Sequence, residues 1–317
     1  MTRQDKDQLL LFFYIVFSFM FYGIGINYGN AHPYNQAYYM TRETSPPEAA
    51  ASAPEATTET TEAPKPVVVV LDAGHGGNDT GAFFKSEEGR IHEKTVNFKI
   101  TKYLKIALEE YDNIIVVMTR EKDKYLSLQE RVDIALQNNA DLFISLHNNT
   151  LVGAGGYATG SSIAVAIGNY NEEVAQEGQR LGANIAYELG KLGLKQNGLL
   201  MRSSRSYTYP NGRAADYYAT IRGGMEHDIP SVIIEHAFID NKDDFYDYLC
   251  SEKQLKEMAA ADARGIARYL QVPRKDDSKV LEPLDDYKIK VCHIKKNGSA
   301  KKTYRIYYTD RFIDYEE

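Results

Sequence analysis

Apolar residues follow two rhythms along this chain. Short unbroken runs occur at Val67–Leu71 (VVVVL), Ile114–Met118 (IIVVM), Leu142–Leu146 (LFISL) and Val232–Ile234 (VII). Such runs suit strands buried on both faces. Between them the spacing becomes helical. Glu93–Glu110 carries Val96, Ile100, Leu104 and Ala107/Leu108 on one stripe, and Leu126–Gln137 repeats the pattern with Leu128, Val132 and Leu136. Asn171–Leu192 and Lys253–Leu270 read as further amphipathic helices. Strands alternating with helices predict an α/β fold whose sheet is mainly parallel and covered on both faces.

The two ends of the chain depart from this pattern. Leu9–Ile26 (LLLFFYIVFSFMFYGIGI) lacks any charged residue. As a helix it would span about 27 Å, close to the hydrocarbon thickness of a bilayer. Arg3 and Lys6 precede it, diluted by Asp5 and Asp7. Residues 1–30 therefore read as a transmembrane anchor or as a signal peptide cut near Ala31, and the length of the run favours the anchor. Both readings place the remainder outside the cytoplasm. Residues 31–66 form a linker, rich in Pro, Ala, Thr and Glu from Arg42 onward. Such a composition buries too little surface to offset its ordering entropy, so a disordered spacer is expected. A folded domain follows over 67–272. The extension 273–317 holds β-rich stretches at Tyr287–Lys296 and Lys302–Ile313, and Asn297-Gly298 between them predicts a small β-hairpin.

Charge and cysteine content narrow the choices. A formal net charge of -7, without a basic run or zinc-finger spacing, argues against a nucleic-acid partner. Cys250 and Cys292 are too few for a disulfide framework and have no CxxC spacing.

Ligands of parallel sheets gather where strands end, so the residues that follow each run matter most. VVVVL leads into Asp72-Ala73-Gly74-His75-Gly76-Gly77, LFISL into His147-Asn148-Asn149, and VII into Glu235-His236. Glu93 opens the helix between the first two. Two histidines and two glutamates are thus expected at one sheet edge. A catalytic zinc takes imidazole and carboxylate donors and keeps one position open. It lowers the pKa of bound water to about 7 and polarises an amide carbonyl. A carboxylate off the metal can move the proton to the leaving nitrogen. The glycines allow a sharp turn and close approach, although a glycine-rich loop could equally cradle phosphate; no Lys-Ser/Thr follows to support that.

Six segments in order carry a family resemblance: LDAGHGGNDTGA, IHEKTVNFKI, VVMTR, LSLQERVDIA, ADLFISLHNN and IPSVIIEHAFIDN. Across Val67 to about Leu270 the chain resembles the zinc-dependent N-acetylmuramoyl-L-alanine amidases. The resemblance implies a three-layer αβα domain and one zinc ion held by His75, Glu93 and His147, with Glu235 as the catalytic carboxylate. It implies hydrolysis of the amide joining N-acetylmuramic acid to L-alanine in peptidoglycan. A zinc peptidase of the stem peptide, or an inactive wall-binding homologue, is the alternative. The chain departs from the family at Ala73, where proline is frequent, and at Ala237 and Asp240 in the last segment. The stretch MRSSRSYTYPNGRAADYY suits a lip for sugar or peptide. In some relatives an inserted helix covers the zinc until a protein activator, then a partner, moves it; whether this chain has such a plug is left open, with 161–192 as the region that could form it. Asn148 and Arg222 are substrate-binding candidates. Arg120 is expected to pair with a carboxylate. His92 and His236 are expected to stay off the metal, His236 because adjacent strand positions face opposite ways.

Overall fold

The computed structural model describes residues 65–151, 158–308 and 311–316. The apolar run Leu9–Ile26 and most of the linker lie outside them. Among the described residues no helix is long and apolar enough to cross a membrane.

The predicted strands form; the one at Ile114–Met118 ends with its apolar run, and the other three continue past theirs. They are β1 (Val67–Ala73), β4 (Ile114–Met118), β5 (Leu142–Asn149) and β9 (Ser231–Phe238). In the sheet they lie side by side and parallel, in the order β9-β5-β1-β4. The continuous apolar runs have the expected cause. Val69 and Leu71 of β1 and Ile144 and Leu146 of β5 face one apolar cluster, while Val70 and Phe143 face another.

Helices lie against both faces. α1 (Glu93–Leu108), α3 (Glu172–Gly190) and α5 (Glu252–Leu270) pack together on the larger cluster. α2 (Leu128–Gln137) and α4 (Ala219–Glu226) pack together on the other side. Capping boxes start α2 and α5: Ser127 with Glu130, and Ser251 with Gln254.

Residues 161–192 are part of the core and cover no site. They form the fully buried strand β6 (Ser161–Val165) and helix α3. β6 runs antiparallel to β9, so the sheet is mostly parallel with a change of direction at this seam. The stretch expected to be a lip belongs to β7 (Gln196–Thr208) and β8 (Ala214–Asp216). β7 starts inside the sheet, parallel to β6, and ends exposed. A hairpin, β2 (Phe83–Ser86) with β3 (Gly89–His92), leads into α1.

The expected C-terminal hairpin is present but is not an appendage. β10 (Tyr287–Ile294) and β11 (Ala300–Tyr307) pair antiparallel, and a third strand, β12 (Phe312–Tyr315), continues the meander. β10 pairs parallel to β7, so these strands extend the central sheet. The reason is the open edge of β7, whose unpaired backbone groups need a partner. Ile289, Val291 and Tyr307 join the main core. Lys65–Glu317 is one compact unit and holds the whole described core within itself.

A chain of residues 65–272 is accordingly expected to be much less stable than 65–317. Each buried side chain contributes about 1.5–3 kcal/mol, against a net stability of about 5–15 kcal/mol. Thermal unfolding with size-exclusion chromatography should show the shorter chain melting early and self-associating. Equal melting temperatures would show that β10–β12 are dispensable.

Candidate metal centre

The site is built on the turn that leaves β1. Asp72 is buried and ionised there. Burial pushes its carboxyl up, but the charge of Arg131 and the hydroxyls of Ser145 and Thr119 outweigh this and hold it below the usual range. Arg131 Nη1 donates to Asp72 Oδ1 at 2.6 Å and to the Ala73 carbonyl at 2.9 Å, and Nη2 to the His75 carbonyl at 2.9 Å. Arg120 Nε donates to the Ala73 carbonyl at 2.9 Å and Nη2 to the Gly74 carbonyl at 3.1 Å. Arg120 thus binds main-chain oxygens, not the expected carboxylate. Together the two guanidiniums grip successive carbonyls of the turn. This holds His75 at φ 59°, a left-handed conformation that non-glycine residues seldom adopt.

Three potential metal ligands converge over this turn. Glu93, the first residue of α1, is buried beneath the two imidazoles. Its Oε2 lies 3.1 Å from His75 Nε2 and its Oε1 lies 3.1 Å from His147 Nδ1. The imidazole centroids are 4.8 Å apart at 74°. One donor atom from each of the three side chains lies within 4.8 Å of the others. Zinc bonds of about 2.0–2.2 Å in tetrahedral array separate donors by about 3.3–3.6 Å, so the set fits such an ion with small adjustments. The imidazoles are partly exposed, which leaves an outward side for another ligand.

The surroundings fix each donor. Asp79 Oδ2 lies 2.9 Å from His75 Nδ1, which directs Nε2 toward Glu93. The Glu93 oxygens also accept from the amides of Ala82 (3.0 Å) and Asn148 (3.1 Å) and from Asn97 Nδ2 (3.2 Å). Burial raises the Glu93 carboxyl, but the two histidines outweigh it and leave it well below its ordinary value. Burial lowers His75, yet Glu93 and Asp79 drive it up to about 10. A metal ion on Nε2 would compete with a proton for this imidazole. Two glycines allow the approach. A Cβ on Gly74 would sit 2.3 Å from His147 Nε2, and one on Gly81, at φ +61°, would meet Glu93 Oε2 at 2.6 Å.

Glu235 lies on β9, in register with His147 across the parallel pair. It stands outside the three-donor set, and its carboxylate makes no hydrogen bond or ion pair among the described residues. Burial raises its carboxyl, His147 opposes this, and Glu93 adds to it; the net shift is upward. His236 faces the other way, as the strand alternation predicts. It is fully buried, with Nδ1 3.1 Å from the His147 carbonyl and Nε2 2.8 Å from Asp262 Oδ2, and so anchors β5 to α5. His92 stacks edge-on against Phe83 in the β2–β3 hairpin.

The two substrate-binding candidates sit in bracing positions. Asn148 is buried under the cluster, where its side chain donates to Asn97 Oδ1 at 2.8 Å. Arg222 Nη1 donates to the Asp216 carbonyl at 2.8 Å and its guanidinium stacks over Tyr207 at 4.3 Å. Sequence reasoning passed over Arg131, Asp79, Gly81 and Asn97. Arg131 had a signal: Asp72 directly follows a continuous apolar run, and a carboxylate buried there requires a cation.

The profile of the N-acetylmuramoyl-L-alanine amidases matches residues 69–268. The endolysin of Bacillus phage SPP1 is 31% identical over 208 residues, 66% of this chain and 68% of that protein. Cwp6 of Clostridium difficile matches with 29% identity and a TM-score of 0.53, over 63% of this chain and 29% of that one. The CwlD amidase of Clostridioides difficile, solved in complex with the GerS lipoprotein, matches with 25% identity and a TM-score of 0.52, over 64% and 98%.

Two substitutions test how the site is held. Gly74→Ala drives a methyl into the His147 ring, so the folded variant is expected to lose at least tenfold in metal affinity by titration. Arg131→Leu strands Asp72 and should cost about 3–5 kcal/mol in denaturant unfolding. Unchanged stability in that variant would show that the ion pair does not support the turn.

Proposed function

The chain belongs to the N-acetylmuramoyl-L-alanine amidase family, and from that premise we propose that it cleaves the amide between N-acetylmuramic acid and L-alanine in peptidoglycan, using one zinc ion on His75, Glu93 and His147. The observation that carries the reading is the close set of two imidazoles and a carboxylate with a separate carboxylate, Glu235, on the next strand in register. A zinc ion bound there supplies Lewis-acid polarisation of the scissile carbonyl and lowers the pKa of water.

The chain's own groups do the rest. Glu93 and the imidazoles hold fixed positions because Asp79, Asn97 and the amides of Ala82 and Asn148 hold them. Glu235, outside the donor set, takes the proton from the attacking water and delivers it to the departing nitrogen, an amine that leaves poorly unless protonated. A carboxylate pushed upward by burial is a stronger base than an ordinary glutamate, which suits this task. The exposed end of β7, with Tyr207 and Arg222, offers polar and aromatic surface for glycan or stem peptide.

In this reading residues 67–272 carry the catalytic machinery, 273–317 complete its sheet, and 31–66 space it from the membrane-directed run in residues 1–30. Action outside the cytoplasm follows from the peptidoglycan substrate. The case for a protein activator rests on the CwlD relative, solved with its lipoprotein; here 161–192 would have nothing to unplug.

Glu235→Gln should retain zinc and fold but lose about two to four orders of magnitude in kcat. Mass spectrometry of digested peptidoglycan should show intact stem peptides with a free L-alanine amine; cleavage within the stem would favour a peptidase instead. Glu235 works as a base only when ionised and its pKa is raised. The acid limb of kcat/KM is therefore expected above the ordinary glutamate value, with activity falling as pH drops through it. A limb at or below that value would remove Glu235 from this role. Chelation should abolish activity and added zinc restore it.

A further inference from the structure

Strands β10–β12 present two unlike faces. Ile289 and Val291 of β10, Tyr307 of β11 and Phe312 of β12 turn toward the main core. Two carboxylates lie on that side as well, Asp314 against Arg305 and Glu316 against Lys301. The opposite face carries Lys288 and Lys290 of β10, Lys302, Tyr304 and Ile306 of β11, and Ile313 and Tyr315 of β12, while Cys292 and Ile294 on the same face at the far end of β10 are buried. No Asp or Glu occupies a position on this face of the three strands.

The pairing sets cations, aromatic rings and aliphatic side chains next to one another. Lys290 is opposite Tyr304, Lys288 opposite Ile306, Ile306 opposite Ile313, and Tyr304 opposite Tyr315. The Tyr304 and Tyr315 rings stack at 5.7 Å and 22°, with Lys288 Nζ 4.3 Å and 4.7 Å from their centroids. Ile313 is 48% exposed, and Lys288 and Lys302 are exposed beside it. Residues 287–317 hold eight Lys and Arg against four Asp and Glu, in a chain of net charge -7. The positive charge is therefore concentrated on one sheet edge, and on its outer face it stands among apolar groups.

We propose that this face docks on an anionic phospholipid bilayer. Lysines attract the headgroup phosphates. Tyrosine rings, apolar in body and polar at the tip, suit the headgroup level. Ile306 and Ile313 reach the acyl boundary, as the apolar side of an interfacial element does. A water-soluble polyanion would satisfy the lysines and leave the isoleucines in water, which is why the lipid surface is the better fit. The same chain carries an apolar run of bilayer-spanning length at Leu9–Ile26, which would bring the face to such a surface. None of these residues belongs to the metal centre, so the inference is independent of the amidase reading.

The test is co-sedimentation of residues 65–317 with vesicles of phosphatidylcholine alone or mixed with phosphatidylglycerol. Wild type is expected to bind the anionic vesicles at least about tenfold better than the neutral ones and to be released by about 0.5 M salt. Lys290→Glu with Lys302→Glu should lower binding about tenfold. Ile313→Ser, which changes no charge, should lower it several-fold. Melting temperatures and cleavage of soluble peptidoglycan fragments that match wild type confirm that the variants are folded. Equal binding to both vesicle types, binding to neither, or retention on a soluble polyphosphodiester without vesicle binding would each overturn the proposal.

Discussion

The buried pair of Asp72 and Arg131 sets the geometry of everything above it. An ionised carboxylate at the end of an apolar strand is costly to bury without a partner. Arg131 neutralises it and also donates to the carbonyls of Ala73, His75 and Leu126. The same contact that permits the charge therefore shapes the turn carrying His75. Arg120 repeats the device on the carbonyls of Ala73 and Gly74. A left-handed histidine is tolerated because several bonds over-determine its backbone.

Glu93 is the centre to which the other elements are fitted. It links the start of α1, the β1 turn and the end of β5 through both of its oxygens. Gly74 and Gly81 remove the side chains that would keep His147 and Glu93 away. The parallel block β9-β5-β1 then delivers Glu235, in register with His147 yet outside the donor set. One carboxylate is held below its ordinary pKa by histidines, and the other is raised by burial. Divergent environments of this kind separate a ligand from a base.

The C-terminal strands give the sheet edge two roles. Their inner face closes the core over β7, and their outer face gathers positive charge in a chain that is net negative. Both follow from period-two alternation, which places Arg305 and Tyr307 inward and Lys302 and Tyr304 outward on the same strand.

The sequence by itself determined the parallel strands, the four long helices and the convergence of His75, Glu93, His147 and Glu235 near strand ends. Local periodicity is visible in a linear chain, and strands buried on both faces carry it strongly. Only the tertiary structure decided that 161–192 is core, that β10 pairs with β7, and that Arg120 grips carbonyls instead of a carboxylate. Those outcomes depend on which edges and main-chain oxygens are left without partners after the other elements pack. Ser161–Val165 is short and opens on two serines, and β7 ends in polar residues, so neither carries a pattern from which its partner could be read. The family resemblance supplied the ligand set; the distances, the bracing by Arg131 and Asp79, and the bracing positions of Asn148 and Arg222 came from contacts between residues far apart in the chain.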